Sequence, residues 1–378
     1  LVGKLDETER STAYQPERLF STTLTYSAVR ATEVSSIVKC VQLSGHGEKV
    51  RQLEATIRHH LTKVRSAKPS ELNLVRDEED AIAAFIVQVI CPPAEDGIIE
   101  LLRIPKTKLD RTLARHLLLH AIQVNAAEKR QRLLVAEPHV TPVLAEALIE
   151  LGFRREQKQW VRHTPHYLGP RKEFNELIGN CGGHSSLYDG LSAGDVDARF
   201  WPAKILGEGI RSFVVPIKPG WAAQLFDSEL ASDDLFGAIA HLALNRENVY
   251  YRRPKNGSFK LPARILWYVT KDYNEPSTMA IRACSRLLSF EIGPAKILFG
   301  RYRRLGVYQW PQILETARGD KMSDIMALRF ADTEQFSSPV EVPELRRLGI
   351  VSSFPSPTEI TEDQFSAIYR LGMKMTPL

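Results

Sequence analysis

The chain has 378 residues, 43% of them apolar and 25% charged, with a formal net charge of +5. That length exceeds what one core organises and suggests two domains of about 150 residues each with some remainder. No apolar run approaches the ~18 residues that span a bilayer, so a soluble, cytoplasmic protein without a membrane partner is expected. Cys40, Cys91, Cys181 and Cys284 are scattered with no CxxC pair, which argues against a disulfide framework and a zinc site, and no metal is expected.

Residues 1–23 read as an N-terminal extension. TYSAVRA (25–31) alternates as an edge strand does, and 33–65 carries helical periodicity ending in HHLTKVR. AIAAFIVQVI (81–90) has the length and β-branched content of a buried strand, CPPAEDG is a turn, and IIELLRIP (98–105) is a second strand. From Lys108 to about Glu128, Leu109, Leu113, Leu117, Ala121 and Val124 recur at helical spacing. RLLVAE (132–137) is another buried strand, VTPVLAEALIELG (140–152) a helix with Pro142 in its first turn and Gly152 at its end, and FRREQKQWVRH (153–163) a short hairpin. The turn IPKTKLDR before the long helix is basic and holds no glycine. A helix N-terminus entered from such a turn binds phosphate through backbone N–H groups, and Gly usually permits the close approach.

This succession of strand pair, strand, long helix, strand, helix ending in LGF and strand resembles the GNAT acyltransferase superfamily over roughly 24–166, most specifically at AEALIELGF (145–153). The resemblance implies that IIELLRIP splays from its neighbour to receive the pantetheine of acyl-CoA, while the next helix holds the pyrophosphate through a Q/R-x-x-G-x-G/A motif. That motif falls on Leu109, Asp110, Arg111, Thr112, Leu113 and Ala114, and only Ala114 matches. The cofactor so implied is acetyl-CoA or another acyl-CoA, held at Ile104, Lys106, Lys108, Arg111, Thr112, Leu113 and Ala114. Backbone donors and three basic residues favour the anion, whereas Asp110 sets a negative charge against it. A CoA-competent site and a scaffold that has lost its cofactor both stay open. The family needs a base for the acceptor amine, for which Glu100 on the cofactor strand and His139 beyond RLLVAE are the candidates. A carboxylate on a half-exposed strand and a capping or turn histidine are the alternatives.

Residues 167–199 shift to a Gly-, Ser-, Asn- and Asp-rich composition and read as a linker with one short helix. CGGHS (181–185) lacks the second ligand pair a metal would need. Beyond Phe200 short strands dominate, at RSFVVPI (211–217), ARILWYVT (263–270), MAIRACSRLLSFEI (279–292) and DIMALRFADTEQF (324–336), with helices near 219–227, 230–243, 294–302 and 310–317. The pattern suits a small β-barrel and resembles, over about 200–350, the PUA-like superfamily with its ASCH and EVE relatives; 351–378 is a C-terminal tail with a short helix. The fold class expected is α+β, a GNAT-like mixed sheet flanked by helices at 24–166 followed by a small PUA-like β-barrel.

Between Asn245 and Leu305 thirteen Lys/Arg face four acidic residues, an excess of +9, so the basicity belongs to this region. Arg252, Arg253, Lys255 and Lys260 cluster at one place and Arg301, Tyr302, Arg303 and Arg304 at another, with Tyr250, Tyr251, Trp267, Tyr268, Tyr308 and Trp310 interleaved. Cations neutralise phosphates and rings stack on unpaired bases, so nucleic acid is the expected partner, RNA ahead of DNA; Trp267 reads more simply as core. The PUA-like resemblance implies RNA or a modified base as ligand, and some ASCH relatives hydrolyse acylated cytidine with Lys, Thr and Glu. Lys218 stands where such a Lys could, without an assignable Thr and Glu. The leading expectation is an N-acyltransferase acting on a nucleic-acid-linked amine. Its rivals are a non-catalytic nucleic-acid-binding component of a toxin–antitoxin or phage-defence module, whose GNAT-like domain contacts a protein partner, and an ASCH-type hydrolase or nuclease.

Overall fold

The computed structural model describes residues 25–28, 31–43, 49–66, 70–76, 82–90, 96–104, 106, 110–135, 140–180, 190–227, 230, 247–254, 259–271, 278–350 and 354–375. The chain divides into two compact units, Leu1–His166 and Tyr167–Leu378, and the class is α+β with mixed sheets. The extension at 1–23, Cys91, Cys181 and the CGGHS segment lie outside the described residues.

In the first unit seven strands form one sheet: β1 (Thr25–Ala28), β2 (Ser70–Arg76), β3 (Ile82–Ile90), β4 (Asp96–Arg103), β5 (Arg132–Val135), β6 (Arg154–Glu156) and β7 (Gln159–His163). Their order is β1-β2-β3-β4-β5-β7-β6, antiparallel throughout except for β4 and β5. A parallel pair needs a crossover, supplied by the helix Asp110–Ala127 (α3). Helical periodicity over 33–65 resolves into two helices, α1 (Val34–Leu43) and α2 (Val50–Ser66), separated where the sequence carries Gly45 and Gly47. Val34, Ile37 and Val38 of α1, Leu53 and Ile57 of α2, and Leu113, Leu117, Leu118 and Ile122 of α3 are buried, each set at three- and four-residue spacing. The helix α4 (Pro142–Glu150) starts on Thr141, whose hydroxyl accepts from Leu144 N–H at 3.3 Å. Gly97 is required where β4 meets α3: a Cβ there would lie 2.0 Å from Asn125 Oδ1, and buried Asn125 donates to Thr164 Oγ1 at 2.8 Å.

Two histidines of this unit are held neutral. Burial pushes His163 down to about 4, with the Arg132 guanidinium adding to it, and Glu156 at 4.0 Å is outside hydrogen-bond reach and does not compensate. Burial likewise lowers His120 to about 4. Both groups protonate at about 6.5 in the unfolded chain, so their stabilisation is complete above that pH and is lost as pH falls towards 4. The expected loss is about 3 kcal/mol per histidine, read as the pH dependence of urea unfolding. His163→Gln should remove one proton from that slope, and an unchanged slope would contradict the assignment.

The second unit opens with β8 (Leu168–Pro170), α5 (Arg171–Asn180), α6 (Ala193–Arg199) and β9 (Lys204–Leu206). Of the segment 167–199, expected as a linker with one short helix, the described parts 167–180 and 190–199 carry two helices: Phe174, Ile178, Val196 and Phe200 share a buried cluster with Ile205, and Ser192 and Asp195 form a capping box on α6. Six further strands, β10 (Arg211–Ile217), β11 (Glu247–Arg252), β12 (Ala263–Val269), β13 (Ala280–Pro294), β14 (Asp324–Glu341) and β15 (Thr358–Ile360), pair in the order β11-β14-β13-β12-β10-β15. β10 and β12 run parallel. No closed barrel is found among the described strands; the small barrel expected for 200–350 is an open sheet that also takes β15 from the tail. Its helices are α7 (Pro219–Leu225), α8 (Ala295–Tyr302), α9 (Trp310–Thr316), α10 (Val342–Arg347) and α11 (Glu362–Met373).

Both faces of this sheet are covered, which is why RSFVVPI and ARILWYV read as continuous rather than alternating apolar runs. Val215, Ile265, Trp267 and Phe330 pack on one face; Val214, Leu266, Ile281 and Cys284 pack on the other with Phe365 and Tyr369 of α11. Gly372 lets α11 press on the sheet, since a Cβ there would lie 2.2 Å from the Phe336 ring. Among the described residues no helix is long and apolar enough to cross a membrane.

Candidate functional sites

The first site lies where β4 leaves β5. Parallel pairing starts at Asp96–Arg132 and ends at Ile99–Val135, whereas β4 runs on to Arg103. Among the described residues no strand covers that edge from Glu100 onward. On the other side β3 pairs Gln88 with Ile99 and Val87 with Leu101, so Glu100 is the extra residue of a β-bulge. A bulge leaves one residue out of the ladder, sharpens the local twist and re-aims the side chain. Glu100, half-buried, thus sits just past the last described pair of β4 and β5.

The phosphate end of this site is less open than the sequence implied. Asp110 accepts the backbone N–H of Arg111 at 2.7 Å, taking up one of the donors a helix N-terminus would offer an anion. Arg111 turns to α4, where it pairs with Glu150 and, at 3.3 Å, with Glu146, while Arg115 reaches Glu150 at 3.2 Å. Leu113 and Ala114 are buried in the core and offer no side chain to a ligand. Ile104 is half-buried and Lys106 exposed beside the end of β4. Thr112 lies in α3, its side chain outside the described residues, as are Lys108 and His139 altogether.

In the second unit the interleaved aromatics are mostly core. Tyr250, Tyr251, Tyr268 and Tyr308 are each at most 7% exposed, so the stacking platform expected of them is corrected to a packed interior, and Trp267 is core as its simpler reading had it. Several basic residues also turn inward. Arg264 pairs with Asp197 at 2.6 Å, Arg286 with Asp332 at 2.8 Å, and Arg282 with fully buried Asp227. Lys204 pairs with Glu334, which also accepts from Tyr369; burial pulls Lys204 down, and Glu334 holds it above its ordinary value. Three of the nine excess charges are thus offset from positions 197, 227 and 332.

Of the residues expected to meet nucleic acid, exposed Arg301 is paired with Glu291, which also accepts the Tyr302 hydroxyl at 2.8 Å. Arg253 Nε donates to Thr316 O at 3.0 Å, and Lys260 and Arg303 are exposed. Lys255 lies outside the described residues, as does the side chain of Arg304. Arg252 is different: its Nε and Nη1 are enclosed without a hydrogen-bond partner, and burial lowers its pKa. A desolvated guanidinium of this kind is completed by an anion.

A cleft of about 530 Å³ is lined by Lys218, Pro219, Trp221 and Gln224 at α7, Thr270 and Lys271 after β12, and Gln312 of α9. The Trp221 ring packs at 4.2 Å on the Tyr308 ring. Among the described residues the lining holds two lysines and no carboxylate, which favours anions, and the indole adds a flat apolar wall. Lys218 was the one lining residue the sequence singled out; the others come together from separate elements. Among the described residues no group of three or more His, Cys, Asp or Glu is gathered to hold a metal ion.

No protein-family model matches the chain, and no curated protein matches it. Solved structures similar to it include ASCH from Zymomonas mobilis, at 18% identity over 42% of this chain and 94% of that one, with a TM-score of 0.32. They also include the ribosomal-protein-S18-alanine N-acetyltransferase from Escherichia coli, at 15% identity over 35% of this chain and 79% of that one, TM-score 0.29. A third is the PaiA N-acetyltransferase from Thermoplasma acidophilum in complex with coenzyme A, at 11% identity over 36% of this chain and 96% of that one, TM-score 0.30. Both ASCH and GNAT proteins are thus among the structures similar to this chain; at these values the likeness carries no residue role across.

Proposed function

We propose that the first unit is an acyl-CoA-dependent N-acyltransferase and that the second holds the nucleic acid bearing the acceptor amine. The observation that carries the reading is the Glu100 bulge at the last described β4–β5 pair, beyond which no strand among the described residues covers β4. An extended chain of amides fits an uncovered strand edge, which offers it N–H and C=O groups in register. Acyl-CoA supplies the activated acyl group. For their part, Glu100 accepts the proton of the amine directly or through a water, and Lys106 offers charge to the phosphates. A crystal grown with acetyl-CoA should show the ligand's extended arm along Glu100–Arg103; density elsewhere would contradict the proposal.

The placement of Asp110 and Arg111 favours a second reading, in which the sheet is kept as a scaffold without cofactor. In either reading the second unit binds nucleic acid, with Arg252 on a phosphate and the Lys218–Lys271–Trp221 cleft on a nucleotide. Arg252→Ala should lower the log–log salt slope of nucleic-acid binding by about 0.9, one phosphate contact. Arg301→Ala should leave the slope nearly unchanged, because Glu291 already holds that guanidinium. Equal effects of the two substitutions would remove Arg252 from the interface.

A further inference from the structure

Three of the eight exposed large apolar side chains among the described residues stand at one corner of the second unit: Ile292 at the end of β13, Ile297 on α8, and Met322 in the turn before β14. Ile297 is 50% and Met322 55% exposed. The corner is a built feature. Lys296 N–H donates to Lys321 O and Ala295 N–H to Ser323 O, both at 3.0 Å, so the start of α8 is tied to the turn. Asp320 accepts Met322 N–H at 2.8 Å and the Ser323 hydroxyl at 3.1 Å, which sets the turn with Met322 outward. Two of the three protruding aliphatics follow a lysine in the chain, Lys296–Ile297 and Lys321–Met322, and both lysines are exposed; Ile292 follows Glu291. Arg303 is exposed just past the end of α8; Glu291 is engaged with Arg301 and Tyr302, and the exposed carboxylates of Asp320 and Asp324 are the opposing charges.

Gly300 is a second, separate observation. It lies inside α8 with nothing within 4 Å of where a Cβ would be, and its φ is not left-handed. The fold has no need of glycine there, and alanine is the better helix former. The bare backbone lies on the same face as Ile297 and next to Lys296, at three- and four-residue spacing, and lets an incoming rigid backbone approach closely.

We infer that this corner is a nucleic-acid contact in which Lys296, Lys321 and Arg303 hold phosphates while Ile297 and Met322 press as apolar wedges against a base step of a duplex. The inference rests on the nucleic-acid reading of the second unit and adds residues and a mode to it. Aliphatic wedges flanked by cations are how proteins unstack a step and bend a helix. An acidic polypeptide is the other polyanion that charge would admit. It would call for a continuous apolar groove, whereas here the aliphatics alternate with lysines.

The test is fluorescence anisotropy of the intact protein with a labelled hairpin duplex, as DNA and as RNA, one step carrying 2-aminopurine, and with poly-glutamate as competitor. Lys296→Ala with Lys321→Ala should lower the salt slope by about two units, one per phosphate contact. Ile297→Ala with Met322→Ala should weaken binding about tenfold at an unchanged slope and abolish the 2-aminopurine signal of unstacking, a tenfold change being about 1.4 kcal/mol. All four side chains are exposed, so thermal melting should be unaltered and serves as the folding control. Wild-type behaviour of both double variants, with binding lost in Arg252→Ala, would overturn this inference and leave the nucleic-acid reading standing. Absence of salt-dependent duplex binding by the wild type would overturn both. Variants that release poly-glutamate while binding the duplex normally would assign the corner to an acidic polypeptide instead.

Discussion

Asp227→Ala is expected to destabilise the C-terminal unit by about 3–5 kcal/mol, the cost of stripping the carboxylate from a buried guanidinium. Asp227 is fully buried and Arg282 only 2% exposed. The carboxylate accepts from Arg282 Nε and, at 3.2 Å, from Nη2, from Gln335 Nε2 at 3.0 Å, and from Leu230 N–H at 3.2 Å. One residue therefore joins the end of α7 to β13 and β14, and its loss opens all of these bonds in a medium where water cannot replace them. Asp227→Asn keeps an acceptor and removes the charge, so it should fall between wild type and Ala. Urea unfolding measures both. A loss below about 1 kcal/mol for the Ala variant would mean that the pair contributes little beyond its hydrophobic surroundings.

The second large effect concerns the N-terminus of α3. Arg111→Glu should weaken acetyl-CoA binding by more than the tenfold that 1.4 kcal/mol represents, because it exchanges an attractive charge for a repulsive one near the pyrophosphate. The structure adds an opposite expectation. Asp110 occupies Arg111 N–H, and Glu150 draws off the Arg111 guanidinium, so Asp110→Asn and Glu150→Gln should each tighten binding. Isothermal titration of the three variants reads all the signs. If Asp110→Asn and Glu150→Gln leave affinity unchanged while Arg111→Glu weakens it, Arg111 acts through a rearranged turn rather than from its present place.

The first unit was largely legible in the sequence because its signals are local. Strand and helix periods, the Pro142 start and the Gly152 end of α4, and the hairpin at 154–163 are each written within a dozen residues. β2 was not, since SELNLVR alternates only weakly, and β11 was not, since ENVYYR presents as a basic, aromatic surface element although its central residues are buried. The residues around the β4 bulge were legible as a strand, but the bulge itself depends on register with β3, which no single stretch encodes. The ion pairs of the basic region were not legible for a similar reason: Arg264, Arg282 and Arg286 find their carboxylates 67, 55 and 46 residues away in the chain. The cleft at Lys218 draws on three separated segments, so only the member next to a strand end stood out.

The most direct test of the account is a calorimetric titration of the intact protein with acetyl-CoA, with and without an RNA hairpin. Saturable binding that Lys106→Glu and Arg111→Glu each weaken, and that adding the hairpin does not abolish, is the result expected of a transferase that takes the cofactor along β4. No heat at millimolar acetyl-CoA in either condition would contradict it and leave the first unit as a scaffold whose α3 N-terminus is closed by Asp110.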